Sequence, residues 1–392
     1  MKQLYVVAAM LLFILVSCRK NDYDVRVSTP PASTQDKKLQ SCNFGIQNFN
    51  MVKRPDVQSA AKGASVAART TSGGSLQQVI MLDFDGQTVS GTSWNTVSNP
   101  TINCTPANLT TAQMNEIFDR VSEDYRPFNV TVTTDESVYQ ASNPTRRMRV
   151  ILTETWEWYG QAGGVSYIGS FTWGDNTPCF IFTSLLNYNT KNIAEAATHE
   201  AGHTFGLYHQ SIYDGNCTMT SQYNYGAGAG QIGWAPIMGC GYNQNLTTWY
   251  NGQSAYSCTS YQDDIAIIGN VVGFKTDDYS NTLQSPKKIS GTVTGIINNS
   301  TDVDCFQVSF NSAKTVIATP FSVSTYNDGA DLDILMKIYD HGKNLIYSVN
   351  DPQSLSAAQS LPAGTYYISI EPTGNVYAPQ YGVMGQYTLA IN

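Results

Sequence analysis

The chain has 392 residues, 42% of them hydrophobic, a length and composition that suit about two globular domains with real cores and exclude a disordered polymer. Charged residues make up only 13% and the net charge is -8, with no cluster of Lys and Arg, which excludes an electrostatically driven nucleic-acid binder. At the N-terminus, Lys2 precedes an apolar run from Leu4 to Val16, thirteen residues, long enough for a signal-peptide core and too short to span a membrane. Export is the expectation.

Leu15, Val16, Ser17 and Cys18 close that run and resemble a bacterial lipoprotein signal. The resemblance implies that residues 1–17 are removed and that Cys18 carries acyl chains, leaving an exported, membrane-anchored lipoprotein at the outer membrane or cell surface. Residues 18–74 are rich in Ser, Thr, Ala, Gln and Pro with few periodic apolar positions, and read as a tether, with a propeptide as the alternative.

The next stretch, 75–275, carries the pattern of a mixed α and β domain. VIMLDFDG is β-rich and reads as a strand; LTTAQMNEIFDRVSEDYRPF places Met114, Ile117, Phe118, Val121 and Tyr125 on one helical face and stops at Pro127. Asn129 to Thr134, Met148 to Thr153, AGGVSYIGSF and PCFIFTS read as four further strands.

The run HEAGHTFGLYH follows, and it uses three of the four histidines. On a helix, His199 and His203 lie about 40° apart on one face, so both can grip one metal ion, with Glu200 on the same flank to take a proton from a water molecule. Were the helix to continue, His209 would lie about 9 Å beyond His203, too far to share an ion. The helix must therefore break, and Gly206 accepts the positive φ that turns His209 back. A bare surface helix explains a lone HExxH pair but not the coincident glycine and third histidine.

This extended motif resembles the metzincin zinc metalloproteases, whose further mark is a methionine turn under the metal; Met238 in APIMGCGY fits that mark. The resemblance implies an α+β catalytic domain with a mixed twisted sheet, an active-site helix, the methionine turn and a C-terminal helix. It implies Zn²⁺ on His199, His203 and His209 with Glu200 as general base. It also implies that an edge strand pairs with extended polypeptide substrate, which we expect along Gly163 to Ser170, at Gly164, Val165, Ser166 and Tyr167. Some metzincins are held latent by a propeptide cysteine, yet Ser41, Asn43, Phe44 and Gly45 around Cys42 do not reproduce that signature. Tyr242 is a candidate oxyanion donor, though it follows Met238 by four residues where some metzincins have two. Gln210 also differs from the residue that marks the best-known subfamilies.

YDGNCTMTSQYNYGAGAG, from Tyr213 to Gly230, has no period and reads as a long loop. Once Cys18 is set aside, seven cysteines remain, so at least one is unpaired in a monomer; Cys217, Cys240 and Cys258 flank the methionine turn, and which of them pair is open. SYQDDIAIIGNVVGF reads as the closing helix, with Asp263 and Asp264 in its first turn, and residues 276–286 as a linker.

From 287 to 392, β-rich runs such as CFQVSF, DILMKIYD, TYYISIE and QYTLAIN alternate with turn signals and predict an all-β sandwich. DVDCFQV, ADLDILMKIYD, LPAGTYYISIEP and GQYTLAI resemble the bacterial pre-peptidase C-terminal domain. Asp302, Asp304, Asp331 and Asp333 are candidate ligands for Ca²⁺, a secondary expectation beside their use as turn caps. The whole predicts a zinc endopeptidase acting on extracellular polypeptides. A surface adhesin or glycan-binding lipoprotein with a vestigial zinc site is the alternative, and oligomeric state is open.

Overall fold

The computed structural model describes residues 38–42 and 67–392. The signal segment, Cys18 and most of the expected tether lie outside the described residues. In chain order the first region contains β1 (Leu39–Cys42), β2 (Val79–Asp83), β3 (Gln87–Ser90), β4 (Thr101–Cys104), α1 (Thr111–Asp124), β5 (Thr131–Thr133), α2 (Glu136–Ala141), β6 (Arg147–Thr153), β7 (Gly164–Tyr167), β8 (Cys179–Phe182), α3 (Thr190–Thr204) and α4 (Asp264–Val272). Six of these strands form one sheet in the order β1-β7-β8-β6-β2-β5. β5, β2, β6 and β8 run parallel, β7 is antiparallel to β8, and β1 is antiparallel to β7.

β2 and β8 are buried at every position, as continuous apolar runs covered on both faces should be. One face receives α1 and α3, whose Ile117, Val121, Ile193 and Ala197 join Ile80 and Val150 in the main core. α1 starts at a capping box in which Thr110 and Gln113 satisfy each other's backbone N–H groups. The opposite face of β7 and β8 carries an aromatic cluster of Trp94, Phe180 and Phe182 with Trp158 against it. The hairpin β3–β4 and the short helix α2 were not expected from sequence: QTVS and TINC are too short to show a period, and α2 has only six residues.

The second region is largely β. A five-stranded sheet (287–289, 304–310, 364–372, 334–339, 345–349) faces a four-stranded one (293–297, 385–391, 314–320, 357–361), with Phe306, Ile334, Ile368, Tyr387 and Leu389 between them. The strand Ala357–Leu361 escaped the sequence reading because AAQSL lacks β-branched residues, although its ends are buried and its middle is not. The two regions meet through polar contacts: Arg120 pairs with Asp328 at 2.8 Å, and the Gln386 N–H donates to Glu123 at 2.6 Å. Among the described residues no helix is long and apolar enough to cross a membrane.

Candidate active site

α3 begins at Asn189, whose side chain accepts from the Asn192 N–H, and it presents His199 and His203 one turn apart with ring centroids 4.7 Å from each other. The helix ends at Thr204, and Gly206 adopts φ of +113°, a value that a residue with a Cβ holds only under strain. The chain reverses there, which brings the His209 ring to 5.2 Å from His199 and 4.9 Å from His203. One ring nitrogen from each of the three lies within 4.8 Å of the others, in a site where all three side chains are buried.

Second partners fix the imidazoles. Nδ1 of His199 lies 2.8 Å from the Ile237 carbonyl and Nδ1 of His203 lies 2.7 Å from the Leu207 carbonyl. A carbonyl only accepts, so both Nδ1 atoms carry the proton and both Nε2 atoms keep a lone pair. The carboxamide of Gln222 sits 3.1 Å from Nδ1 of His209, and the Tyr223 ring packs on that imidazole at 4.5 Å. Burial lowers the pKa of each: His203 falls to about 4, and His199 and His209 fall well below the ordinary value, helped by their neighbouring imidazoles. The three are therefore neutral at pH 7, the form that ligates a metal. Three convergent neutral nitrogens beside a carboxylate are a donor set that fits Zn²⁺.

Glu200 is fully buried, and the Ser166 hydroxyl donates to its Oε2 at 2.5 Å. Ser166 belongs to β7, which places that strand directly beside the carboxylate. Gly164 on the same strand makes room for it: a Cβ there would lie 2.6 Å from Cγ of Glu200. Sequence reasoning placed Ser166 among substrate contacts and did not see its bond to Glu200, because the two are 34 positions apart and no local period links them.

Met238 is fully buried beneath the triad, and a Cβ on Gly202 would lie 2.7 Å from its sulfur. Its carbonyl accepts from the Gln210 N–H at 2.7 Å, while the preceding carbonyl holds His199. The turn thus ties the helix to the segment carrying the third histidine. Tyr242 is half-buried and packs against the main core and against Tyr223 and Cys240. Cys217 and Cys258 form a disulfide, which joins the loop after His209 to the segment before α4, and Cys240 is free and buried.

Several expectations need correction. The strand expected along Gly163 to Ser170 is only β7, since Gly169 turns the chain with φ of +76° into a short helical turn. Its outer edge is paired with β1: Leu39 faces Tyr167 and Cys42 faces Gly164, so part of the expected tether is a strand. The side chains of β7 face inward, with Val165 in the aromatic cluster, Tyr167 at 4.3 Å from Trp94 and Ser166 on Glu200. The loop from Tyr213 to Gly230 contains part of a two-stranded hairpin, Ile212–Tyr213 with Met219–Ser221.

Asp264 stands in the first turn of α4, as expected, and has a further role. Asp263 is the N-cap, and Asp264 is buried, accepting from the Tyr250 N–H and from the side chains of Gln262 and Gln210; burial raises its pKa to about 7. Gln210, the residue after the third histidine, is thereby anchored to the closing helix. The four candidate calcium ligands do not gather. Asp331 hydrogen-bonds Asp124 of α1, and Asp333 accepts from Asn375 at 3.1 Å, while Asp302 and Asp304 lie together with Asp277.

No curated protein matches the chain. Similar solved structures include the pre-peptidase C-terminal domain of a collagenase from Bacillus anthracis, 13% identical, covering 30% of this chain and 98% of that one with a TM-score of 0.19. They also include PliG, a periplasmic inhibitor of g-type lysozyme, from Salmonella Typhimurium (15% identical, 27% of this chain, 94% of that one, TM-score 0.19) and from Aeromonas hydrophila (12%, 26%, 84%, 0.17). Residues 105–210, from just before α1 through the third histidine, match the model of the reprolysin-like M12B metallopeptidase family, which supports a metallopeptidase at the level of that family, whose members use zinc.

Proposed function

We propose that the protein is a zinc-dependent endopeptidase in which His199, His203 and His209 hold the metal and Glu200 is the general base. The observation that carries this reading is the convergence of three buried, neutral imidazoles, two of them locked onto carbonyls through Nδ1, next to a carboxylate on the same helix. A Zn²⁺ ion held there would polarise the scissile carbonyl and acidify the attacking water.

The chain's own groups do the rest. An extended substrate takes the place of β1 along the backbone of β7, a reading supported by the antiparallel pairing of β1 with that strand. Glu200 takes the proton from water as it attacks, and returns it to the leaving amine; the Ser166 hydroxyl holds the carboxylate toward the edge while it does so. The resulting products are two shorter peptides.

Replacing Glu200 by Gln tests the assignment. Zinc content by atomic absorption should stay at the wild-type level, and kcat/KM on a peptide library should fall by about 10²- to 10⁴-fold. Undiminished hydrolysis would remove Glu200 from the mechanism; zinc without hydrolysis in the wild type would reject the endopeptidase.

A further inference from the structure

β1 lies along the edge of β7 that is assigned to an extended peptide, and it runs antiparallel to β7 as such a peptide would. The pairing reaches one residue further back, because the Ile168 N–H donates to the Lys38 carbonyl at 3.0 Å. Lys38 thus stands where a substrate residue would stand, and the surroundings of its side chain are those the protein offers at that place.

The side chain meets a pair of tyrosines. Its ammonium donates to the Tyr256 hydroxyl and lies 4.7 Å from the centroid of the Tyr256 ring and 5.6 Å from that of Tyr208. A cation within about 6 Å of an aromatic ring is drawn to its negative face. The two rings meet edge to face at 4.5 Å, and the Tyr256 hydroxyl donates to the Tyr208 hydroxyl at 2.8 Å. With its own proton spent on Tyr208, the Tyr256 oxygen is set to accept from the ammonium. Among the described residues no carboxylate forms an ion pair with Lys38. Ring faces and a hydroxyl acceptor therefore do the recognising, and they serve a guanidinium as well as an ammonium.

Both tyrosines are fixed to the segment that carries the third histidine. Tyr208 directly precedes His209; its N–H donates to the Gln262 side chain and its carbonyl accepts from the same side chain, each at 2.8 Å. The loop bearing Tyr256 is tied down on either side of it, by the Ala255 N–H on the His209 carbonyl at 2.9 Å and by the disulfide between Cys258 and Cys217. Tyr256 is nonetheless 57% exposed, so burial of its ring does not account for its place.

The register gives the direction. Gln40 faces Ser166 and Cys42 faces Gly164, the two β7 residues that flank Glu200. Lys38 precedes both, on the N-terminal side of the positions beside the general base.

We propose that Tyr208 and Tyr256 form a specificity subsite that takes a Lys or Arg side chain of the substrate on the N-terminal side of the scissile bond, with Lys38 as its internal occupant. This inference rests on the endopeptidase reading and names the class of polypeptide that the same cleft prefers.

The test uses the full chain loaded with one equivalent of Zn²⁺ and a mixed peptide library read by mass spectrometry. Lys and Arg should be enriched at one fixed position N-terminal to the cut. Matched peptides carrying Lys, Arg, norleucine or Glu at that position should then give kcat/KM about three- to tenfold higher for the basic pair than for norleucine, with Glu lowest. Tyr256→Ala should bring the ratio of Lys to norleucine within about twofold of one; a ratio taken within each enzyme cancels any general loss of activity. Tyr256→Phe, which keeps the ring against Tyr208 and drops the hydroxyl, should retain part of the preference and serves if the alanine variant fails to fold. Cleavage without a basic preference, or a preference that both Tyr256 variants leave intact, overturns the subsite and leaves the endopeptidase standing. No cleavage by the zinc-loaded wild type overturns the endopeptidase reading, and the subsite with it.

Discussion

Glu200 shows how little freedom the site allows a single side chain. Its carboxylate is enclosed between α3 and β7, accepts from the Ser166 hydroxyl, and depends on the missing side chain of Gly164 for space. Ser166→Ala should leave zinc content and fold intact but let the carboxylate wander, lowering kcat by about tenfold with KM nearly unchanged, as expected for loss of a bond to a charged group. A larger KM effect would mean that Ser166 meets substrate directly. Gly164→Ala is harsher, because its Cβ would stand 2.6 Å from Cγ of Glu200 and the side chain or the strand must yield. Activity should fall further than in Ser166→Ala while zinc stays bound, measurable by steady-state kinetics beside metal analysis on the same sample.

At the scale of elements, legibility follows the range of the contact. His199, Glu200 and His203 could be read because one helical turn encodes their proximity, and Gly206 because a third ligand demanded a break. α1 and the core strands were legible through period and apolar runs. What escaped is held by pairs far apart in sequence: Ser166 with Glu200, Gln210 with Asp264, Asp277 with Asp302 and Asp304, and β1 with β7. No periodicity within one segment specifies which distant strand will lie beside it. The pairing of β1 has a kinetic consequence, since it occupies the backbone edge that a substrate strand needs. An internal occupant lowers apparent affinity by the fraction of molecules in which the edge is free. A chain beginning at residue 67 should therefore show KM lower by about tenfold or more on peptide substrates, with kcat little altered. Equal KM in long and short chains would mean that peptide enters elsewhere.

In the whole molecule, the two regions are joined through buried acid groups of α1 and not merely by a linker. Glu123 is fully buried and receives the Gln386 N–H and the Arg126 guanidinium; beside it, burial and the carboxylates of Asp124 and Glu123 drive Asp331 well above the usual range, so that it keeps its proton and donates it to Asp124. Asp124 is itself raised to about 7 by burial and by Glu195, and the Thr198 hydroxyl bonds it from α3. The same α1 thus bears on α3 and on the sandwich. Carboxyls whose folded pKa exceeds the unfolded value near 4 bind protons more tightly in the folded state. Their contribution to stability is full below that unfolded value and is lost as pH rises through about 7. The metal-free protein should accordingly melt at a lower temperature at pH 8 than at pH 5.5. Asp331→Asn isolates the pair from other buried acids such as Asp83 and Asp264, which are also raised to about 7, because an amide donates to Asp124 without needing a proton. The variant should show a smaller difference between melting temperatures at the two pH values than the wild type. An unchanged difference would assign the pH dependence to acids outside the seam and leave Asp124 and Asp331 as an ordinary buried contact between the regions.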